Sequence, residues 1–190
     1  LDRNRDRDDH LVLLVLPHHR ARHAGKRPRH FGVGAAAGQF LIGRQIAAEH
    51  WTTYGRNYYS RHDYEGVDTA KANKVIEALR ARLAGLPGTS VEGLKIAAAD
   101  DFAYSDPVDK SVSENQGIRV LFEGGSRVVF RLSGTGTSGA TIRVYIERYE
   151  PDPARHDLET QAALADLIRA AEELSGIKAH TGRTEPSVTT

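Results

Sequence analysis

The sequence predicts an α+β domain in which an antiparallel sheet carries helices on one face. Three observations predict it. Apolar residues alternate with polar ones in Val128, Phe130, Leu132 and again in Ile142, Val144, Ile146, the period of half-buried strands. Glu123-Gly-Gly-Ser126 stands between two such runs and has the composition of a hairpin turn. Two other stretches, 69–84 and 157–174, repeat their apolar residues at helical spacing instead.

Taken in order, residues 46–51 read as the last turns of a helix, ended by Gly55. Residues 56–64 have a strand composition, with Tyr58, Tyr59 and Tyr64. Asp68 is the expected N-cap of a helix over 69–84. That helix should bury Ala72, Val75, Ile76, Leu79 and Leu83 and stop at Gly85 and Pro87. Residues 91–98 are expected as a strand and 100–117 as a polar connection. Strands follow at 118–122, 127–133 and 141–149. The final helix, 157–174, should place Leu164, Leu167, Ile168, Ala171 and Leu174 on one stripe and be capped by Gly176. The expected order is α-β-α-β-β-β-β-α.

Composition bounds the function. The chain has 190 residues, room for one domain with a real core or two small ones. It has no Cys, hence no disulfide framework and no thiolate site, in keeping with a cytoplasmic protein. It has no Met either, so a processed, trimmed or partial chain is expected. Net charge is +1, unevenly placed: residues 1–30 hold eight Lys/Arg and four Asp, and the remainder 18 basic and 21 acidic residues. The main body is thus near neutral, which argues against nucleic acid as a partner. No apolar run reaches the roughly 18–20 residues of a membrane span. The longest, Leu11 to Leu16, is too brief for a signal segment.

Residues 1–44 form an atypical basic and His-rich segment, expected to be poorly ordered, ahead of a domain over 45–190. His18, His19 and His23 are close enough to share a metal ion, but no partner carboxylate or Cys accompanies them. Gly32, Gly34 and Gly38 miss the dinucleotide-binding spacing, and no strand directly precedes them. An altered reading frame or a degenerate copy would account for this segment. Sequencing the coding region decides the matter, and an intact frame would sink the idea.

The chemistry concentrates in thirteen residues, Arg131-Leu-Ser-Gly-Thr-Gly-Thr-Ser-Gly-Ala-Thr-Ile-Arg143. A loop of Gly, Ser and Thr offers N–H and hydroxyl donors with few side chains in the way, and Gly-rich backbone can converge on an anion. Guanidinium groups at its two edges match phosphate oxygens. The plainer reading is a hairpin connection with solvated arginines at its rim, and chemistry alone leaves both open. It is not a P-loop, having no Gly-Lys-Ser/Thr ending and no helix directly after it. Ser133 and Thr135 could pass for nucleophiles, but no His lies near them in sequence to act as base. Asp106, Asp109 and Glu114 fit no calcium-loop spacing and read as a solvated acidic connection.

Phe130-Arg-Leu-Ser-Gly-Thr-Gly-Thr-Ser-Gly-Ala-Thr-Ile-Arg-Val-Tyr145 closely resembles the phosphate-contacting loop in the last domain of phosphoglucomutases, in the α-D-phosphohexomutase superfamily. Tyr54-Gly-Arg-Asn-Tyr-Tyr-Ser-Arg-His-Asp-Tyr-Glu65 is similar to the segment leading into that domain. Tyr104-Ser-Asp-Pro-Val-Asp109, Asn115-Gln-Gly-Ile-Arg119 and Thr181-Gly-Arg-Thr-Glu-Pro-Ser-Val-Thr-Thr190 follow in the family's order. The resemblance runs from about Ile46 to Thr190.

The resemblance implies the fold already predicted. It also implies a role in carbohydrate metabolism within an isomerase, an intramolecular phosphotransferase interconverting glucose 1-phosphate and glucose 6-phosphate through glucose 1,6-bisphosphate. In that family a phosphoserine and a Mg²⁺ loop in earlier domains do the chemistry, and the last domain grips the phosphate that is not reacting. Carried over by position, Arg131, Ser133, Gly134, Thr135, Gly136 and Arg143 are the implied phosphate contacts. Arg56 is a further candidate, whose plainer reading is a strand-end charge paired with Asp63 or Glu65. Lys110 departs from the family, where a small residue is usual. No Ser-His-Asn-Pro, Asp-Gly-Asp-Gly-Asp or Gly-Glu-Glu-Ser motif occurs, so no catalytic residue, metal ligand or cofactor is expected in this chain, and the chain alone is expected to be inactive. The alternative is a stand-alone phosphosugar-binding or interaction module without catalysis.

Overall fold

The computed structural model describes residues 43–136 and 139–190. The expected strand at 11–16, His18, His19, His23 and the 32–38 glycines lie outside the described residues.

Helix α1 (Gly43–Tyr54) buries no side chain and ends at Gly55, whose φ of +82° suits a residue without a side chain. A β-carbon there would stand 2.5 Å from the Tyr149 ring. Strand β1 (Arg56–Val67) follows. Helix α2 (Thr69–Arg82) starts where expected: the Asp68 carboxylate accepts the Lys71 N–H at 3.0 Å. It buries Ala72, Val75, Ile76 and Leu79, while Leu83 packs half-buried in a short 3₁₀ turn, Leu83–Gly85.

The expected strand at 91–98 is two strands, β2 (Ser90–Val91) and β3 (Leu94–Ser105). Glu92 and Gly93 between them both have positive φ, 49° and 76°, the backbone of a tight hairpin turn. A larger correction concerns 100–117. This stretch is no loose connection but a long hairpin arm, in which β3 runs on to Ser105 and β4 (Val112–Phe122) returns. Asp100 pairs with Arg119 across it, and the Arg119 guanidinium grips both Asp100 oxygens at 3.0 and 2.5 Å. Much of the arm is solvent-exposed, so apolar alternation is missing and the sequence hides it. At its tip the Asp106 side chain accepts the Val108 N–H at 2.7 Å. Lys110 there takes φ +64°, which is why a small residue suits that position.

β5 (Arg127–Gly136) and β6 (Gly139–Glu150) complete the meander. Both reach further into the Gly-rich loop than expected. Between the pairs Ser133–Thr141 and Gly136–Gly139, β5 holds one extra residue, a bulge at which Gly134 has φ +65°. The curled sheet is antiparallel throughout, in the order β2-β3-β4-β5-β6-β1-β7, with β7 (Val188–Thr189) at the outer edge.

The expected single helix at 157–174 is also corrected. It starts at Thr160, capped by the Glu159 carboxylate on the Ala162 N–H at 2.9 Å. It breaks at Leu164 (φ −103°, ψ 2°) into α3 (Thr160–Ala163) and α4 (Ala165–Ser175). Gly176 ends α4 in the left-handed conformation, as expected, before α5 (Ile177–Thr181). The core lies between the sheet and these helices: Tyr58, Ile118, Val120, Phe130, Ile142 and Ile146 meet Val75, Leu79, Leu164 and Leu167. Burying such side chains is worth about 1.5–3 kcal/mol each. Among the described residues no helix is long and apolar enough to cross a membrane.

Candidate phosphate-binding face

Strand geometry sends alternate residues to opposite faces. On β1, β5 and β6 the residues that face the helices leave Arg61, Asp63, Arg131, Ser133, Arg143 and Tyr145 on the other side. The registers then align them. Arg131 stands opposite Arg143, and Arg143 opposite Asp63, so three adjacent strands carry one row. Ser133 pairs with Thr141 one step toward the loop; Tyr145 pairs with Val129 on one side and Arg61 on the other.

Two arginines directly across an antiparallel pair repel each other. Each is held by something else. The Arg131 Nε–H donates to the Gln116 carbonyl at 2.9 Å. Arg143 Nε lies 3.9 Å from one Asp63 oxygen, and Arg61 Nε 3.2 Å from the other. The Asp63 side chain is only 5% exposed, so its charge acts in a poorly screened setting. One carboxylate therefore serves two guanidiniums, and the Arg61–Asp63–Arg143–Arg131 group holds three positive charges against one negative. Burial raises the Tyr145 hydroxyl pKa against the lowering pull of Arg143, Arg131 and Arg61. The phenol thus stays neutral at the centre of the cationic group.

The bulge at Gly134 projects the backbone beyond this row, and Gly134 is exposed. The hairpin end packs against β1, where a β-carbon on Gly139 would stand 2.9 Å from the Val67 carbonyl oxygen. The 181–190 segment lies along the same edge: Ser187 N–H donates to Asp63 O at 2.7 Å, and Arg183 to Glu65 O at 3.1 Å.

The structure brings Arg131, Ser133, Gly134 and Arg143 together, with the backbone of Thr135 and Gly136 following at the end of β5. It does not bring Arg56 to them. Arg56 pairs with Glu150, seven strand residues from Arg143, or about 23 Å at about 3.3 Å per residue. Its guanidinium stacks on Trp51 and Tyr58 (4.3 and 4.0 Å to the ring centres) and donates to the His156 carbonyl. Neither Asp63 nor Glu65 is the partner that the plainer reading supposed. Arg61 and Asp63 are the functional candidates that sequence reasoning passed over. The available signal was phase: both sit out of step with Tyr58, Ser60, His62 and Tyr64, which face the helices. His62 is on that helix side, 3.1 Å from Gln161 Oε1, and so on the opposite face of the sheet from Ser133. Among the described residues no group of three or more His, Asp or Glu side chains could hold a metal ion.

Fold and face together define an antiparallel α+β domain whose open face gathers Arg61, Arg131 and Arg143 around Asp63. Residues 56–187 match the family of the phosphoglucomutase-1 C-terminal domain, and the chain belongs to that family. A phosphoglucomutase of Rhizobium radiobacter is 67% identical over 147 residues, covering 77% of this chain and 27% of that protein. A chloroplastic phosphoglucomutase of Marchantia polymorpha is 52% identical over 146 residues, 76% of this chain and 22% of that one. The open form of Paramecium pp63/parafusin, a phosphoglucomutase, superposes with a TM-score of 0.71 at 47% identity, covering 81% of this chain and 26% of its own. The chain thus spans about a quarter of the length of the relatives it matches.

Proposed function

We propose that this domain grips the phosphate group of a hexose phosphate: glucose 1-phosphate, glucose 6-phosphate or glucose 1,6-bisphosphate. The observation that carries the reading is the cross-strand row of Arg131, Arg143 and Asp63 beside the Gly134 bulge. The β5–β6 register holds two guanidiniums side by side, with Arg61 close behind on β1. A phosphate dianion entering beside the row can accept charge-assisted hydrogen bonds from these guanidiniums. Ser133 and the backbone N–H groups of 134–136 stand where further oxygens can be met. Tyr145, kept neutral, adds no repulsion.

Such a grip performs no bond-making. It supplies binding energy remote from the reacting centre and fixes the sugar's orientation. The mutase reaction would take place on groups from other parts of a complete enzyme. The Mg²⁺ of the family would polarise the transferring phosphoryl group; the described residues gather no ligand set for it. A stand-alone binding module is the weaker reading, since the relatives matched are whole phosphoglucomutases and the match falls on their C-terminal domain.

The test is an NMR titration of the full chain with glucose 6-phosphate, inorganic phosphate and glucose. Both phosphate compounds should shift the Gly134 and Gly136 amides while glucose does not. Arg131→Ala or Arg143→Ala should weaken phosphate binding about tenfold or more, the worth of a charge-assisted hydrogen bond of about 1.5–3 kcal/mol. Equal shifts with glucose, or losses under about twofold, would overturn the proposal.

A further inference from the structure

We infer that Gly117 is a positioning residue for Arg131, and that the β3–β4 arm thereby sets the geometry of the phosphate grip. The inference deepens the proposed function and rests on it only for the meaning of Arg131. Gly117 sits on β4 where the arm leaves the body of the sheet. The last β4–β5 pair is Ile118 with Phe130, so Gly117 lies beside Arg131 just where the two strands part. Its φ is +153°, which side-chain-bearing residues rarely adopt. A β-carbon there would stand 2.7 Å from the Phe130 carbonyl oxygen, 2.8 Å from Arg131 Cγ and 3.2 Å from the Phe102 ring. The Arg131 side chain therefore occupies the space that a side chain at 117 would need.

What lies next along β4 gives that close approach a purpose. Between the pairs Phe102–Gly117 and Tyr104–Ser113, residues 114–116 of β4 stand against Ala103 alone on β3, a bulge with Asn115 at φ +55°. The bulge lies next to Gln116, whose carbonyl accepts the Arg131 Nε–H at 2.9 Å. Without that bond, and with a methyl group pressing on Cγ, Arg131 would swing to another rotamer, away from the row opposite Arg143. Arg143 takes its position from Asp63; Arg131 takes its own from the bare backbone of 116–117.

The experiment uses the full chain, isotope-labelled, as the parent and as Gly117→Ala, Arg131→Ala and the double variant. The Arg131 Nε–H signal is assigned by its loss in Arg131→Lys, and each variant's melting temperature is recorded. In the parent, Arg131 Nε–H should exchange with solvent about tenfold slower than exposed arginines, as a hydrogen-bonded group does. In Gly117→Ala the protection should vanish and inorganic phosphate should bind about fivefold or more weakly, in keeping with loss of one charge-assisted bond. In the Arg131→Ala background Gly117→Ala should cost no further affinity. Parent exchange as fast as an exposed arginine's overturns the inference, and does so even if Gly117→Ala fails to fold. Retained protection in a folded Gly117→Ala chain, or an undiminished affinity loss in the Arg131→Ala background, overturns it too. Should Gly117→Ala abolish the protection while neither variant alters phosphate binding, the positioning role stands and the phosphate reading falls.

Discussion

The two faces of the central sheet are built from alternate residues of the same strands, yet around Asp63 they handle charge differently. On the helix side, charge meets its own partner. Arg148 reaches into the helix layer and binds both Asp166 oxygens, at 2.7 and 2.6 Å, while also donating to the Ala163 carbonyl. On the open side Arg127 also meets its own partner, Glu147, but further along the strands Arg61 and Arg143 share Asp63, and the Arg131 Nε–H donates to a backbone carbonyl. A folded protein gains little from crowding like charges across a strand pair. The helix side is arranged for stability. The open side gathers three guanidiniums around one carboxylate, the arrangement on which the proposed phosphate grip rests.

Breaking the helix side should cost the most. Phe130, on β5 between Val129 and Arg131, is fully buried. Phe130→Ala should lower unfolding stability by about 3–5 kcal/mol, read from urea denaturation; a loss under about 1 kcal/mol would mean that the core relaxes around the cavity. The open face should yield less. Asp63→Asn keeps the shape but removes the carboxylate charge between two guanidiniums, and should cost about 2 kcal/mol. Added inorganic phosphate should then raise this variant's melting temperature more than the parent's, because the anion replaces the missing charge. An equal rise in both would show that the phosphate does not sit by Arg61 and Arg143.

The smallest effect tests the paired helix-side charge. Burial pushes the Asp166 pKa up, but the Arg148 hydrogen bonds and charge outweigh it, and the carboxyl is held below its usual value. A lowered folded-state pKa gives stability that is present above the unfolded value, about 3.9, and is lost as pH falls through the folded one. Asp166 is partly solvent-screened, so Asp166→Asn should cost only about 1 kcal/mol at neutral pH. The gap to the parent should close on acidification below about pH 4. A gap independent of pH would mean that the asparagine loses packing rather than the ion pair.

Legibility followed burial. The strands at 118–122, 127–133 and 141–149 were readable because one of their faces is apolar and the other is not, and α2 because its buried residues recur with the helix period. The β3–β4 arm was not, since Asp100, Asp101, Ser105, Ser113 and Glu114 carry no alternation where both faces meet water. The break at Leu164 was hidden as well, because Leu164 and Leu167 are both buried whether or not the helix is continuous. Within the site, Arg131, Ser133, Gly134 and Arg143 were legible from residue type and loop composition. Arg61 was not, being one arginine among many until pairing set it against Tyr145.

The sequence by itself determined the alternation that separates a core face from a polar face, the caps at Asp68 and Gly176, and the Gly-rich turn between two arginine-bearing strands. These are local matters, decided by side-chain chemistry and backbone freedom within a few residues. Only the tertiary structure decided that Arg131 faces Arg143 and Arg143 faces Asp63, that Arg56 stands far from all of them, and that the backbone at 116–117 holds Arg131. Strand register and the insertion of β1 beside β6 join residues some eighty positions apart in the chain. No local pattern carries that information, because the choice among pairings is made by the burial of the whole apolar face at once.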